Sequence, residues 1–310
     1  MKTKRIILTA ALAFAALFVG ESRESTCEAR GGAEFIGLFI GVDYDGGSQY
    51  SGRDAKRLAA VWRGIGGRAR VLTTDGGEKP TRENILRGLR EVSASDDVSC
   101  VFILFSGVVD EFDGETYSKW NRYRRKISGM VDEIDGETYF APSDFRFDES
   151  GKPVKETLIA ASEIRKLLEE QLKGRLGKTN VFVLTDGRLN LCDLAGANSS
   201  WELQMCSPGE RSWEINNVGS PAATAFVEAL SEGKDENGAP ILRGDLDGDG
   251  VVTCLETCIY VRRRTLEISD EHKLPRQTPR LVGRGFDFPL AVLPGKKEDE
   301  KAEKPADESR

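Results

Sequence analysis

The sequence predicts an α/β fold, an open and mainly parallel sheet with helices on both faces. Three observations carry this expectation. Short apolar runs of strand length alternate with amphipathic runs of helix length from residue 35 onward. The most apolar runs end in Gly or Asp, as buried parallel strands do. The helical runs carry start and stop residues at their ends. With 310 residues, 39% of them hydrophobic, the chain can bury a sizeable core in one large domain or two small ones.

"FIGLFIGVDY" (35–44) is the first buried strand, and "GRDAKRLAAVWRGI" (52–65) puts Ala55, Leu58, Ala59 and Trp62 on one helical face. "RARVLTT" reads as a second strand. "TRENILRGLREV" is an amphipathic helix with Thr81 as its N-cap. "VSCVFILFSG" (98–107) is the most apolar strand of the chain. "EIRKLLEEQLKG" (163–174) is a helix stopped by Gly174, and "TNVFVLTDG" (179–187) is another central strand. In such sheets chemistry collects at the carboxyl ends of strands. Two ends therefore carry the question of function, "FSGVV" (105–109) and "LTDGRLN" (184–190).

The ends of the chain are of a different kind. Lys2, Lys4 and Arg5 precede the apolar run "IILTAALAFAALFV" (6–19), and Gly20 and Ser22 follow it, the pattern of a secretory signal over residues 1–22. As a helix that run reaches about 21 Å, short of a ~30 Å hydrocarbon core, so a stable membrane span is not expected. An uncleaved membrane anchor is the alternative to export as a soluble periplasmic or secreted protein. Residues 295–310, charged and nearly devoid of apolar side chains, are expected to be disordered. Export makes disulfides permissible for Cys27, Cys100, Cys192, Cys206, Cys254 and Cys258. Six cysteines allow fifteen pairings, and Cys192–Cys206, flanking a loop-like stretch, is the favoured one. No spacing suits zinc. A net charge of −7 gives no global reason to expect nucleic acid or an anionic membrane as partner.

"SGVVDEFDGETY" (106–117) recurs as "SGMVDEIDGETY" (128–139), with ten of twelve positions identical. Between the copies runs "SKWNRYRRKI" (118–127), where Lys119, Arg122, Arg124, Arg125 and Lys126 interleave with Trp120 and Tyr123. This stretch reads either as a docking surface for a protein or peptide partner or as a solvated amphipathic helix.

At the strand ends the chain resembles the caspase-like cysteine peptidases, a group spanning caspases, metacaspases and bacterial relatives. "GLFIGVDYDGG…SGRDAKRLAAVW", "VLTTDGGEKPTRENILRGL", "DGETYFAPSD", "NNVGSPAATAFVEAL" and "RQTPRLVGRGFDFPLAVL" follow that family's segments in order over residues 34–293. The resemblance implies a three-layer caspase-like domain over 33–294. It also places a catalytic His in Ser-Gly-His-Gly after the third strand and a catalytic Cys in Asp-x-Cys-His-Ser-Gly after the fourth. Here Val108 and Met130 stand at the two possible histidine positions. Asp186 is retained, and Arg188 stands at the cysteine position. "DGETYFAPSD" continues the family pattern only after the second copy, so 107–128 is the expected insertion.

These replacements remove the chemistry. Thiol attack on an amide needs a thiolate and a proton donor for the leaving amine. Arginine keeps its charge and offers no lone pair, and valine and methionine carry no proton. His272, the sole histidine, sits in the polar stretch "SDEHKLP", and nothing in the spacing brings it to Cys192. The expectation is a pseudopeptidase that holds a protein or peptide partner without cleaving it. An active peptidase with an unrecognised dyad and a calcium-stabilised envelope scaffold are the alternatives. Arg188 reads either as a carboxylate-binding group or as an internal partner of Asp186.

"DLDGDGVVTCLE" (245–256) has the register of an EF-hand calcium loop. Asp245, Asp247 and Asp249 stand at positions 1, 3 and 5, with Gly250 at the turn and the Val251 carbonyl at 7. Thr253 stands at 9 and Glu256 at 12. "GAPILRG" (238–244) before it does not read as a helix, whereas "CLETCIYVRRRTL" after it does, so the motif is a half EF-hand. The competing reading is an acidic helix start.

Overall fold

A computed structural model describes residues 34–44, 49–93, 98–107, 109–110, 137–149, 153–175 and 177–293. The expected leader 1–22, Val108, Met130, the basic stretch 118–127 and residues 295–310 lie outside the described residues. The fold falls within the unit Gly32–Arg310.

Five parallel strands make the sheet: β1 (Glu34–Gly41), β2 (Arg68–Thr73), β3 (Val98–Ser106), β7 (Asn180–Thr185) and β8 (Ser199–Gln204). Strand β12 (Arg280–Arg284) closes one edge antiparallel to β8, giving the order β12-β8-β7-β3-β1-β2. The chain moves from β1 to β2 on one side and then to β3 on the other, so the switch in direction falls between β1 and β3. That is where an open α/β sheet leaves a crevice beyond its carboxyl ends.

Period-two alternation divides the central strands between two cores. Phe39, Phe102, Leu104, Phe182 and Leu184 point to one face. There they meet α1 (Ser51–Gly64), α4 (Pro221–Ala229) and α5 (Cys254–Glu271). Leu38, Ile40, Val101, Ile103 and Val183 point to the other face, where they pack against α2 (Arg82–Val92) and α3 (Ala161–Leu172). Phe102 is fully buried at the centre of the first core, with the Trp62, Phe39, Phe226 and Phe182 rings at 5.0, 5.2, 5.4 and 5.7 Å. Truncating such a side chain costs about 3–5 kcal/mol.

Thr81 caps α2 as expected, its hydroxyl accepting from Asn84 N at 3.3 Å. Gly174 does not stop α3. The helix passes into a 3₁₀ turn, Lys173–Arg175, that contains Gly174, and Gly177 is the residue with positive φ, +71°. The segment 238–244 forms strand β10 (Pro240–Leu242), paired with β9 (Glu232–Lys234). Strand β11 (Val251–Thr253) pairs with β13 (Pro289–Val292). Within the first copy of the repeat, β4 (Val109–Asp110) pairs with β5 (Tyr139–Phe140) at the end of the second, and β5 pairs with β6 (Ile159–Ala160).

The expected Cys192–Cys206 bridge is not formed. Leu189, Leu191 and Leu194 bury the Cys192 loop in the core beside α3, whereas Met205 buries the residue before Cys206 in the core on the other face. The Cys206 thiol is spent on the Asp186 carbonyl, at 3.8 Å.

Candidate functional site

The carboxyl ends of β3 and β7 meet through Asp186. Its Oδ2 accepts from the Ser106 hydroxyl at 2.7 Å and from Gly107 N at 2.9 Å, and its Oδ1 accepts from the Ser212 hydroxyl at 3.4 Å. Asp54, in the first turn of α1, is buried beside it. Asp54 Oδ2 accepts from Ser220 N at 2.8 Å, and Oδ1 has no hydrogen-bond partner, with the Arg57 guanidinium 3.7 Å away. Gly219 makes this approach possible. Its φ is +109°, and a Cβ there would fall 2.1 Å from Asp54 Oδ1. Glu214 accepts from Gln49 N and Tyr50 N at 3.1 and 3.4 Å, which ties the 206–219 loop to the start of α1.

The negative charges of Asp186 and Glu214 thus add to the cost of ionising Asp54, and the Arg57 guanidinium opposes them. Burial pushes the Asp54 carboxyl up to about 8; the Ser220 N–H opposes this, and the charges of Asp186 and Glu214 add to it. Burial pushes Asp186 up to about 6, against the hydrogen bonds from Ser106, Gly107 and Ser212. Gln277 fixes the wall of the site. Its Nε2 donates to Met205 O at 3.0 Å and Ser212 Oγ at 3.3 Å, and its Oε1 accepts from Trp213 N at 3.1 Å.

Arg188 lies half-buried on the turn that follows Asp186, at the same edge of the sheet. Its loop is pinned from two sides. The buried Glu202 carboxylate accepts from Leu189 N at 3.0 Å, Leu191 N at 2.6 Å and the Thr185 hydroxyl at 3.1 Å. From outside, the Arg165 guanidinium donates to the carbonyls of Asn190, Cys192 (2.9 Å) and Asp193 (3.2 Å). Asn190 and Asp193 hold φ of +53° and +65° within this clamp. His272 is the exposed C-cap of α5, on a different element from Cys192.

The 245–256 loop folds around its aspartates. Asp245 accepts from Gly248 N at 2.7 Å and Gly250 N at 2.8 Å, Asp247 from Asp249 N at 3.1 Å, and Asp249 from Val251 N at 2.7 Å. One carboxylate oxygen from each of Asp245, Asp247 and Asp249 lies within 4.8 Å of the others. Gly250, with φ +88°, makes the turn. Glu256 accepts from Leu246 N at 2.9 Å and completes a capping box with Thr253 at the start of α5. The donor set is all oxygen, as a hard cation requires.

Asp186 was legible as a site residue in the sequence, whereas Asp54, Glu214, Glu202 and Gln277 were not. Asp54 carried a signal nonetheless, because it lies four residues before Leu58 and eight before Trp62, on the buried stripe of α1.

The fold places this chain among α/β proteins with a mostly parallel sheet flanked by helices. No protein-family model matches the chain, and no curated protein matches it. Its structure is similar to the crystal structure of a Geobacter sulfurreducens protein from a structural-genomics programme. The TM-score is 0.51 at 14% identity, over 82% of this chain and 94% of that one. At that identity the likeness concerns the fold alone.

Proposed function

We propose that this chain is a caspase-like domain that has lost its catalytic dyad and holds a basic side chain of a peptide or protein partner without cleaving the peptide. The observation that carries this reading is the buried Asp54 beside the half-buried Asp186, with Asp54 Oδ1 lacking a hydrogen-bond partner. Two desolvated carboxylates side by side are unfavourable alone and favourable around a cation. A partner's guanidinium or ammonium group adds to the charge of Arg57 and supplies the donor that Asp54 Oδ1 lacks. The replacements at 108, 130 and 188 remove nucleophile and proton donor. The clamp of Glu202 and Arg165 on the Arg188 loop argues that this edge is maintained for binding.

Calcium in the 245–256 loop is the second part of the reading. Asp245, Asp247, Asp249 and Glu256 would supply carboxylates, Val251 its carbonyl and Thr253 the ninth position. The pairing of β11 with β13, and the Leu293 N to Gly250 O bond at 2.8 Å, give the loop the support that a second hand supplies in paired EF-hands. The ion would fasten α5 to the sheet and leave its shape unchanged.

Fluorescent peptides ending in Arg, Lys, Asp or Glu, titrated against the full chain in calcium, test the proposal by polarisation and by product analysis. Arg- and Lys-ending peptides are expected to bind at least ten times more tightly than the acidic ones and to remain intact. Equal affinity for all four, or turnover abolished by Cys192→Ala, would overturn it.

A further inference from the structure

Helix α5 packs with two of its sides and leaves a third open. Cys254, Cys258, Val261, Thr265 and Ile268 are buried in the protein's interior. Arg264 turns a second side to α4, its Nε donating to Glu228 Oε2 at 2.8 Å. On the remaining side stand Leu255, Ile259, Arg262 and Leu266, spaced by four, three and four residues. That is the seam with which one helix meets another. Among the described residues nothing covers it: Ile259 is 58% exposed, Leu255 is 41% exposed, Arg262 is exposed and Leu266 is half-buried. Two more exposed apolar side chains, Phe286 (77%) and Leu246 (41%), border its start. Asp287, next to Phe286, accepts from Leu255 N at 3.0 Å, and Leu246 N donates to Glu256 Oε1 at 2.9 Å. Single exposed apolar side chains are ordinary, but four around one seam mark a contact surface.

The charges along the seam select its occupant. Its start is acidic. Asp287 is exposed, with its carboxylate at Leu255 N, and the exposed Asp247 lies on the adjoining loop, its N–H on Glu256 Oε1 at 3.3 Å. The second half is basic, with Arg262 and Arg263 both exposed. Arg263 has Glu267 at 3.8 Å. Neither Arg262 nor Asp287 makes an ion pair among the described residues; Asp287 accepts only from the N–H groups of Leu255 and Phe288. A surface that is acidic at one end, apolar in the middle and basic at the other complements itself when turned end for end. A partner with a single sign of charge is repelled by one half of it. With two copies of α5 antiparallel and Ile259 on the two-fold axis, positions equally far from 259 face each other. The first turn of each helix, with Asp287, then lies along Arg262 and Arg263 of the second copy.

We infer that this side of α5 is a homodimer interface, in which two copies pack α5 against α5, antiparallel about Ile259. Ile259 meets its own image. Leu255 lies along the aliphatic stems of the second copy's arginines. Asp287 receives the guanidinium of Arg262, and the two-fold axis makes that pair twice. The pair forms with or without an ion in the 245–256 loop, because Asp287 lies outside that loop.

The test is sedimentation of the full chain in mild detergent over a wide range of concentration, with cross-linking beside it. Wild type is expected to double its protein mass as concentration rises. Ile259→Asp and Arg262→Asp, each acting twice across the axis, are each expected to weaken the dimer at least tenfold at an unchanged melting temperature. Ile259→Cys, mildly oxidised, is expected to cross-link to its own image well above the wild-type background. Lys173→Cys, exposed just beyond α3, is expected to stay at that background. A dimer that Ile259→Asp leaves intact, or equal cross-linking at 259 and 173, overturns the inference. So does a monomer at every concentration, which would leave the face to a different protein.

Discussion

Asp54 carries a cost that its surroundings do not remove. In the unfolded chain its carboxyl ionises near 3.8, and in the fold burial holds the proton to about 8. Between those values the folded state binds one proton more than the unfolded state. Stability is therefore full below about pH 4 and falls by about 1.4 kcal/mol per pH unit until the folded group ionises. Asp54→Asn removes this slope, so the variant is expected to melt progressively above wild type from pH 5 to 8 and to match it near pH 4. A cation in the site needs the ionised form, so peptide affinity of wild type is expected to rise with pH through 6 to 8, as Asp186 and then Asp54 lose their protons. The variant should lose that rise together with most of the affinity. Melting curves and polarisation titrations across this range check both. A stabilising substitution that destroys binding is the mark of a residue kept for function.

Two elements show how local chemistry sets the site. The loop between β7 and β8 has its N–H groups on Glu202 and its carbonyls on Arg165. Glu202→Ala leaves two buried N–H groups without acceptors, at about 1–3 kcal/mol each. It is therefore expected to cost about 3 kcal/mol in urea denaturation and to speed amide exchange at Leu189 and Leu191. Strand β8 itself was missed in the sequence because Glu202 and Gln204, both buried, break its apolar pattern. The same polar residue that hid the strand builds the loop. Thr253 and Glu256 carried two messages at once. The spacing Thr-x-x-Glu marks a capping box, and the same residues stand at positions 9 and 12 of the proposed calcium loop. Calcium should raise the melting temperature of wild type, by about 1.4 kcal/mol of stability at tenfold excess over Kd. Asp245→Ala and Glu256→Gln are each expected to abolish the rise, and glutamine should keep the cap. A thermal titration in which all three respond alike would put the ion elsewhere.

At the scale of the whole molecule, the strands and helices were legible because apolar alternation in β1, β3 and β7 divides two cores between two helical layers. The facing of Asp54 and Asp186 was not legible, because the contact joins residues 132 positions apart through the sheet order. The repeat poses the remaining whole-chain question. In the fold, β4 comes from the first copy and β5 from the end of the second. Deleting residues 107–128 joins Ser106 to Gly129 and presents Met130-Val131-Asp132 where Val108-Val109-Asp110 stood. Val131 and Asp132 can then take the places opposite Phe140 and Tyr139 that Val109 and Asp110 hold. The connection from β4 to β5 shrinks to residues 133–138, a length within the usual range for hairpin loops and their near relatives. Shortening a loop also lowers its closure entropy, by about 0.6 kcal/mol for each halving. The deleted chain is therefore expected to unfold cooperatively, with a melting temperature equal to or slightly above wild type. Its calcium response and its preference for Arg-ending peptides should also be retained. Loss of the cooperative transition in circular dichroism would show that the duplicated segment is part of the core; loss of peptide binding alone would assign it to the partner surface.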